Sequence, residues 1–249
     1  MPLFGALELD AVSARLSRMR DLGTEAWTLP RAEILQLAWE VNDDTQTLLP
    51  RAMHPAIPPY VTVVVASYPE SPVGPFTLAQ LRLMGRAGAH PRGYILGAVA
   101  TGADAAEELR ARWGFPAVSG TVTLRRHHDQ VAVTVLRAGA AILEAALVNP
   151  EVISGGDIQY IHSVTLARAP EGGGAAPLLI QVDPHYTFQK AERGRPRLLR
   201  IDAAAWNAPG LIVGNPIAAS VTTCDTDLPA IRFVMDPERP VAQGTRKIR

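Results

Sequence analysis

The sequence predicts an α+β fold, mainly antiparallel β with a few helices, and three observations carry that expectation. Apolar, β-branched runs follow one another from residue 60 onward, separated by Gly, Pro and Asp clusters. The stretch TVTLRRHHDQVAVTVLR (121–137) divides at His128-Asp129 into two alternating halves, the pattern of a hairpin. Two longer stretches repeat their apolar residues at helical spacing. Runs of strands with few helices between them fit a barrel or a sandwich.

The elements follow in order. DAVSARLSRMRDLG (10–23) reads as a helix, capped by Asp10, with Val12, Leu16 and Met19 on one face and Gly23 at its end. From Ala32 to Val41 the chain reads as extended, and NDDTQTLLP (42–50) as a short helical turn stopped by Pro50. YVTVVVASY (60–68) is apolar throughout, as a strand buried on both faces is. In TLAQLRLMG (77–85), Leu78, Gln80 and Arg82 share one side and Ala79, Leu81 and Leu83 the other. RGYILGAVAT (92–101) is a further strand. ADAAEELRARWG (103–114) is a helix with Asp104 placed to cap it and Ala105, Leu109 and Trp113 on one face. Further strands are expected at 158–168, 177–190, 196–202, 217–223 and 230–235. PEGGGAAP (170–177) reads as a surface loop, because no helix with Lys or Ser/Thr follows its glycines to hold a phosphate. No internal repeat or long linker divides the 249 residues. One domain is expected over 1–249, with its core at about 28–236 and a mobile tail at 237–249.

Composition removes several function classes. With 47% hydrophobic and 19% charged residues, the chain can bury a substantial core. Lys and Arg number 24, as do Asp and Glu, so no basic face is offered to nucleic acid or to an anionic membrane. One cysteine, Cys224, excludes an intramolecular disulfide framework and a Cys-rich zinc site; with no His or basic neighbour in sequence it reads as inert. No HxH or HExxH cluster supports a metal, and no other cofactor is expected. MPLFGALELDAV has no basic segment ahead of its short apolar run, and no stretch reaches the roughly 18 apolar residues of a membrane helix, so a cytoplasmic location is expected.

The stretch RARWGFPAVSG (110–120) is the most informative. A helix breaks at Gly114, Phe115-Pro116 sets an extended path, and Ala117-Val118 follow. Trp113-Gly114-Phe115-Pro116 resembles the frame of the acetoacetate decarboxylase family, in which a helix runs into an aromatic–Pro–Lys–Lys motif. Arg31 at the head of the early strand, Leu49-Pro50, Gly74-Pro75-Phe76-Thr77, Tyr94 and Gly120-Thr121 fall in step with it, over roughly residues 28 to 236. The resemblance implies a β-cone or double-barrel-like fold around an apolar pocket, and a homo-oligomer. It also implies that the lysine pair is replaced by Ala117 and Val118, and the family's two pocket carboxylates by Leu78 and a position near Val63. Schiff-base catalysis needs a deprotonated amine, which alanine cannot supply. The two lysines, Lys190 and Lys247, lie in charged segments that read as solvated.

What remains is a smaller set of candidates. Arg31 is the first: a guanidinium on an apolar wall holds a carboxylate or an enolate, and the alternative is a surface pair with Glu33 or Asp43. His162 and His185 lie in expected strands as general acid or base, or as packed histidines; Asp183 falls on the face of His185. Catalytic roles are thus assigned to Arg31, His185 and His162, and substrate contact to Val63, Leu78, Tyr94, Trp113, Phe115, Ala117 and Val118. His127-His128 reads as a solvated turn, His54 and His90 as loop residues, and Glu144 as a pocket acid or a solvent-facing residue of an amphipathic segment. Two functions stay open. One is noncovalent catalysis (cyclisation, isomerisation or elimination) on a largely apolar carbonyl- or carboxylate-bearing small molecule, in the setting of specialised metabolism. The other is a non-catalytic binder of an apolar small molecule on the same fold.

Overall fold

The computed structural model describes residues 4–22, 25–170 and 176–248. The chain opens with a short helix α1 (Leu9–Ser13), then β1 (Ser17–Arg18), β2 (Trp27–Val41), β3 (Met53–Pro55), β4 (Tyr60–Tyr68), β5 (Phe76–Ala87) and β6 (His90–Thr101). Helix α2 (Ala103–Trp113) leads to β7 (Ala117–Arg126), β8 (Gln130–Arg137), β9 (Ala140–Ile153), β10 (Ser163–Arg168) and β11 (Pro177–Val182). After β12 (His185–Ile201), β13 (Val213–Leu228) and β14 (Phe233–Met235) come α3 (Val241–Gly244) and β15 (Thr245–Lys247).

The expected class, α+β and mainly antiparallel β, is found, and the strands close on themselves. β5 pairs with β6, β6 with β7, and the path runs through β8, β9, β12, β13, β2 and β4 back to β5. Every pairing in this ring is antiparallel except β6–β7, where α2 makes the crossover that parallel strands require. The free edge of β6 is shared: its C-terminal part pairs with β7 and its N-terminal part with β10. From β10 a branch continues through β11, β14 and β15.

Alternation along the ring strands separates two buried clusters. Leu35, Val63, Leu81, Leu96, Val133 and Val221, drawn from strands all round the ring, meet in its interior. The opposite faces of β2, β4, β5 and β6 carry Ile34, Val64, Leu78 and Ala98 into a second cluster, with α2, Tyr160 and the branch packed against them. β4 therefore faces protein on both sides, as its unbroken apolar run requires.

Gly114 ends α2 in the left-handed region at φ +68°, accepting the termination that a side chain resists. A Cβ there would come within 2.6 Å of the Ala167 Cβ, so the helix and β10 approach this closely only with glycine between them. Asp104 does not cap α2; the preceding residue is Gly102, and Asp104 lies in the first turn, where its charge meets the helix dipole.

Two expectations are corrected, the helix over 10–23 and the unbroken strand over 177–190. The helix expected over 10–23 is α1 alone, five residues long, because Ser17–Arg18 pairs parallel with Ala167–Arg168 instead of continuing the turn; Gly23 lies outside the described residues. Residues 140–153, around Glu144, form a strand paired to both β8 and β12. The expected strand 177–190 is broken at Asp183-Pro184, and its second half joins 196–202 in the long β12. The tail from 237 carries α3 and β15, which pairs with β14. The hairpin at His128-Asp129 and the turn before Pro50 (Gln46–Leu48) are where the sequence places them, while residues 171–175 of the glycine loop lie outside the described residues.

Candidate functional site

Strand register builds the site. Gln36, Val64, Gln80, Ala98 and Ala117 are successive cross-strand partners on β2, β4, β5, β6 and β7, so their side chains share the face of the second cluster. Ile34, Ala66, Leu78 and Ala100 form the adjacent row. Ala117, fully buried, thus stands two strands from Gln80, and no amine is present at its position.

Over this face lies a small cavity of about 20 Å³, room for about one water, bordered by Leu78, Gln80, Arg82, Phe115, Ser163 and Tyr186 among others. Arg82 is its cation. Its Nε donates to Gln80 Oε1 at 2.9 Å, its Nη2 to the same oxygen, and its Nη1 to the carbonyl of Ile161 at 3.3 Å. Among the described residues no carboxylate pairs with it. Burial lowers its pKa, against the pull of the nearby Tyr186 and Tyr68 phenols. Burial raises Tyr68 far above the ordinary phenol value and pushes Tyr186 up to about 12, while Arg82 draws both back, so both phenols are neutral donors at neutral pH. Gln80 Nε2 and Ser163 Oγ, both buried, have no hydrogen-bond partner among the described residues. A buried guanidinium without a counter-ion, beside two unused polar groups, is an arrangement suited to an incoming oxyanion or carbonyl oxygen. Tyr160 closes the aromatic side, packing edge-on to Tyr186 at 5.1 Å and bonding Thr222 Oγ1 at 2.8 Å.

Sequence reading put Gln80 and Arg82 on the face of Leu78 but gave neither a role. The available signal was polar residues at alternate positions in a strand whose two faces are both otherwise apolar. Arg31 is the converse case. Its side chain is 65% exposed and pairs with Glu70, neither Glu33 nor Asp43, and its residue lies at φ +54° with the backbone N–H bonded to Asp225 Oδ1 at 2.8 Å. That irregularity takes it out of the alternation that would have turned it inward.

The expected substrate contacts divide among three places. Leu78 and Phe115 border the Arg82 cavity, and Ala117 lies on its face. Tyr94 and Val118 belong to the ring interior and, with Ala117, border a different and larger cavity on the other side of β6–β7. Val63 is ring-interior core, and Trp113 is core beneath α2, edge-on to Trp27 at 5.0 Å with its indole N–H donating to Pro229 O; neither borders a cavity described here.

His162 and His185 do come together. They border one groove of about 130 Å³ with Asp183 and Arg232. His162 Nδ1 is 3.1 Å from Asp183 Oδ1, and Arg92 Nη2 is 3.4 Å from the same atom. Burial pushes the Asp183 carboxyl up, but the close contact of His162, the hydrogen bond from Gln181 and the charge of Arg92 outweigh it and leave the group below its ordinary range. Groove and Arg82 cavity are back to back: His162, Asp183 and His185 face one, Ser163, Pro184 and Tyr186 the other. Among the described residues no cluster of His, Cys, Asp and Glu is arranged to hold a metal.

The two lysines lie elsewhere. Lys190 is in β12 with its ammonium 3.2 Å from Glu192 Oε1, and Lys247 is exposed on β15. Cys224 is a buried free thiol whose pKa burial raises.

Comparison with known proteins places this geometry in a family. The chain superimposes on an acetoacetate decarboxylase from Legionella pneumophila with a TM-score of 0.74 at 18% identity, covering 84% of this chain and 86% of that one. It is similar to the enduracididine biosynthesis enzyme MppR complexed with pyruvate (TM-score 0.67, 12% identity, 83% and 88% covered). It is also similar to an acetoacetate decarboxylase-like enzyme from Sphingomonas wittichii RW1 (TM-score 0.66, 15% identity, 85% and 92% covered). These likenesses show a shared fold. No curated protein sequence matches the chain. No helix among the described residues is long and apolar enough to cross a membrane. The acetoacetate decarboxylase (ADC) family model matches residues 18–234, and the chain belongs to that family.

Proposed function

We propose that the protein acts noncovalently on a largely apolar small molecule bearing a carbonyl or carboxylate, whose oxygen is taken by Arg82 and Gln80. The observation that carries this reading is the buried Arg82 guanidinium with no carboxylate beside it, next to the unpartnered Gln80 Nε2. In a water-poor site such fixed donors stabilise developing negative charge. The cavity of about 20 Å³ admits the oxygen-bearing group alone, so the apolar remainder of the molecule enters only as side chains such as Leu78, Phe115 and Tyr186 move apart around it. Arg82 and Gln80 supply stabilisation of a developing oxyanion and no base, so cyclisation, isomerisation or elimination here moves its proton within the substrate or to water; a Schiff base does not fit, because neither lysine borders the cavity. MppR, crystallised with pyruvate, supports the ligand class and a setting in specialised metabolism. His162 and His185, behind the Ser163–Pro184 wall, are the nearest groups for proton exchange with solvent.

The test has two arms. Borohydride treatment with pyruvate and phenylpyruvate leaves the intact mass unchanged; a covalent adduct ends the noncovalent assignment. Arg82→Gln weakens the binding of the same keto acids about 10–100-fold, the worth of a charged hydrogen bond. Its Tm shifts by no more than about 3 °C, because relief of a buried charge offsets the lost bonds. Unchanged affinity removes Arg82 from the site.

A second reading, a non-catalytic binder, is favoured by one observation: no carboxylate, histidine or lysine borders the Arg82 cavity. It predicts the same affinity loss with no turnover of any bound ligand. Under either reading the protein works in the cytoplasm as a homo-oligomer. The apolar groove with Ile57, 85% exposed, and Ile217 supports a covered surface. Light scattering at a single-chain mass contradicts the oligomer.

A further inference from the structure

On the reverse side of β6–β7 from Arg82 lies a second cavity of about 180 Å³ at the end of the ring interior. Part of its wall is apolar, with Val12, Leu16, Leu48, Val118, Leu166 and Trp206, and part is polar, with Ser17, Tyr94 and Asn207. Its charged groups have one sign. Arg15 from the segment after α1, Arg110 from α2 and Arg137 from the end of β8 all border it, and no carboxylate does. Three elements distant in sequence thus deliver three guanidinium groups to one opening.

Among the described residues no carboxylate pairs with any of the three. Arg110 Nη1 donates to the carbonyl of Ala117 at 2.6 Å and Arg137 Nη1 to that of Ala205 at 2.9 Å, which orients both groups while leaving their other N–H donors and their full charge available. Arg15 makes no hydrogen bond or ion pair among the described residues, and it is near enough to Tyr94 to draw its phenol pKa down against a larger rise from burial. The Tyr94 hydroxyl also has no hydrogen-bond partner among the described residues. Gly97 lets the indole of Trp206 lie against β6, where a Cβ would stand 3.1 Å from its backbone; the cavity floor depends on that approach.

We infer that this cavity binds a small amphipathic anion, a short-chain carboxylate, with its carboxylate among Arg15, Arg110 and Arg137 and its apolar body against Leu48, Val118 and Trp206. The volume is below the roughly 300–1,000 Å³ of a drug-sized site, which sets the scale of the ligand. Guanidinium forks match a planar carboxylate, and uncancelled like charges at one opening favour an anion over a neutral or cationic molecule. This site is separate from the one at Arg82, with the β6–β7 pair as the wall between them.

Isothermal titration calorimetry on the full chain with hexanoate, hexylamine and inorganic phosphate tests the inference. Hexanoate is expected to bind at this site, phosphate at least about tenfold more weakly for want of an apolar body, and hexylamine not at all. The double variant Arg15→Gln/Arg137→Gln, at two exposed positions, weakens hexanoate at least about tenfold. Tyr94→Phe weakens it less, and in an Arg82→Gln background, which removes any hexanoate held at the Arg82 cavity, the double variant still weakens the remaining binding at least about tenfold. The inference is overturned if hexanoate does not bind, if it binds the double variant as tightly as the parent, if phosphate equals hexanoate, or if Arg82→Gln alone removes the binding. The last outcome would assign the anion to the Arg82 cavity, so failure here and failure there give different results.

Discussion

Asp183 shows how three neighbours decide the state of one group. His162, Gln181 and Arg92 all address its carboxylate, and together they outweigh the cost of its partial burial. A carboxyl whose folded pKa is depressed contributes stability that is full above its unfolded value, near 3.8, and is lost as pH falls through the folded value. Asp183→Asn should therefore lower Tm by about 2–4 °C at pH 7, the worth of about 1 kcal/mol in a chain of this size. Thermal melts from pH 7 down to pH 3 should show the gap closing only below pH 4; a constant gap would assign the effect to packing. Arg82 shows the complementary lesson at the same scale. Its placement on the face of Leu78 was legible from alternation alone, but its burial was not. That burial depends on Ser163, Pro184 and Tyr186, brought over β5 from about 80 to 100 residues further along the chain.

The α2–β7 connection is the element most fully encoded by local residues. Gly114 supplies the left-handed turn, Phe115 and Pro116 force the extended exit, and the Thr165 hydroxyl donates to the Gly114 carbonyl at 2.9 Å. Gly114→Ala adds both a positive-φ penalty and a collision with Ala167, and should cost about 2–4 kcal/mol in urea denaturation, above the roughly 1–2 kcal/mol of the backbone term alone. A loss within that backbone term would mean that β10 moves aside without cost. Residues 10–23 misled for an equally local reason. Val12, Leu16 and Met19 sit at helical spacing, yet Val12 is buried from α1 and Met19 from beyond β1, under the end of α2. A short apolar period is satisfied by a helix or by a turn and an edge strand, and the partner for that edge, β10, is not local. Arg31 lies outward for a similarly local reason: its positive φ breaks the alternation by which a strand residue is assigned to a face.

For the molecule as a whole, strand content and the two-sided burial of β4 were readable from composition and periodicity, whereas ring closure was not, because closure is a property of pairings rather than of runs. Two faces of one strand pair now serve two cavities, one with a lone buried guanidinium and one rimmed by three. That closure also governs how the chain comes to be folded. The seam that completes the ring joins β2, at residues 27–41, to β13, at residues 213–228. During synthesis β2 must therefore wait, with one edge open, until nearly all of the chain has been made. Contacts of such sequence separation place the protein among slow, high-contact-order folders and leave a long apolar edge at risk of association in the interval. The nascent chain, rather than the finished fold, is where this architecture is most vulnerable.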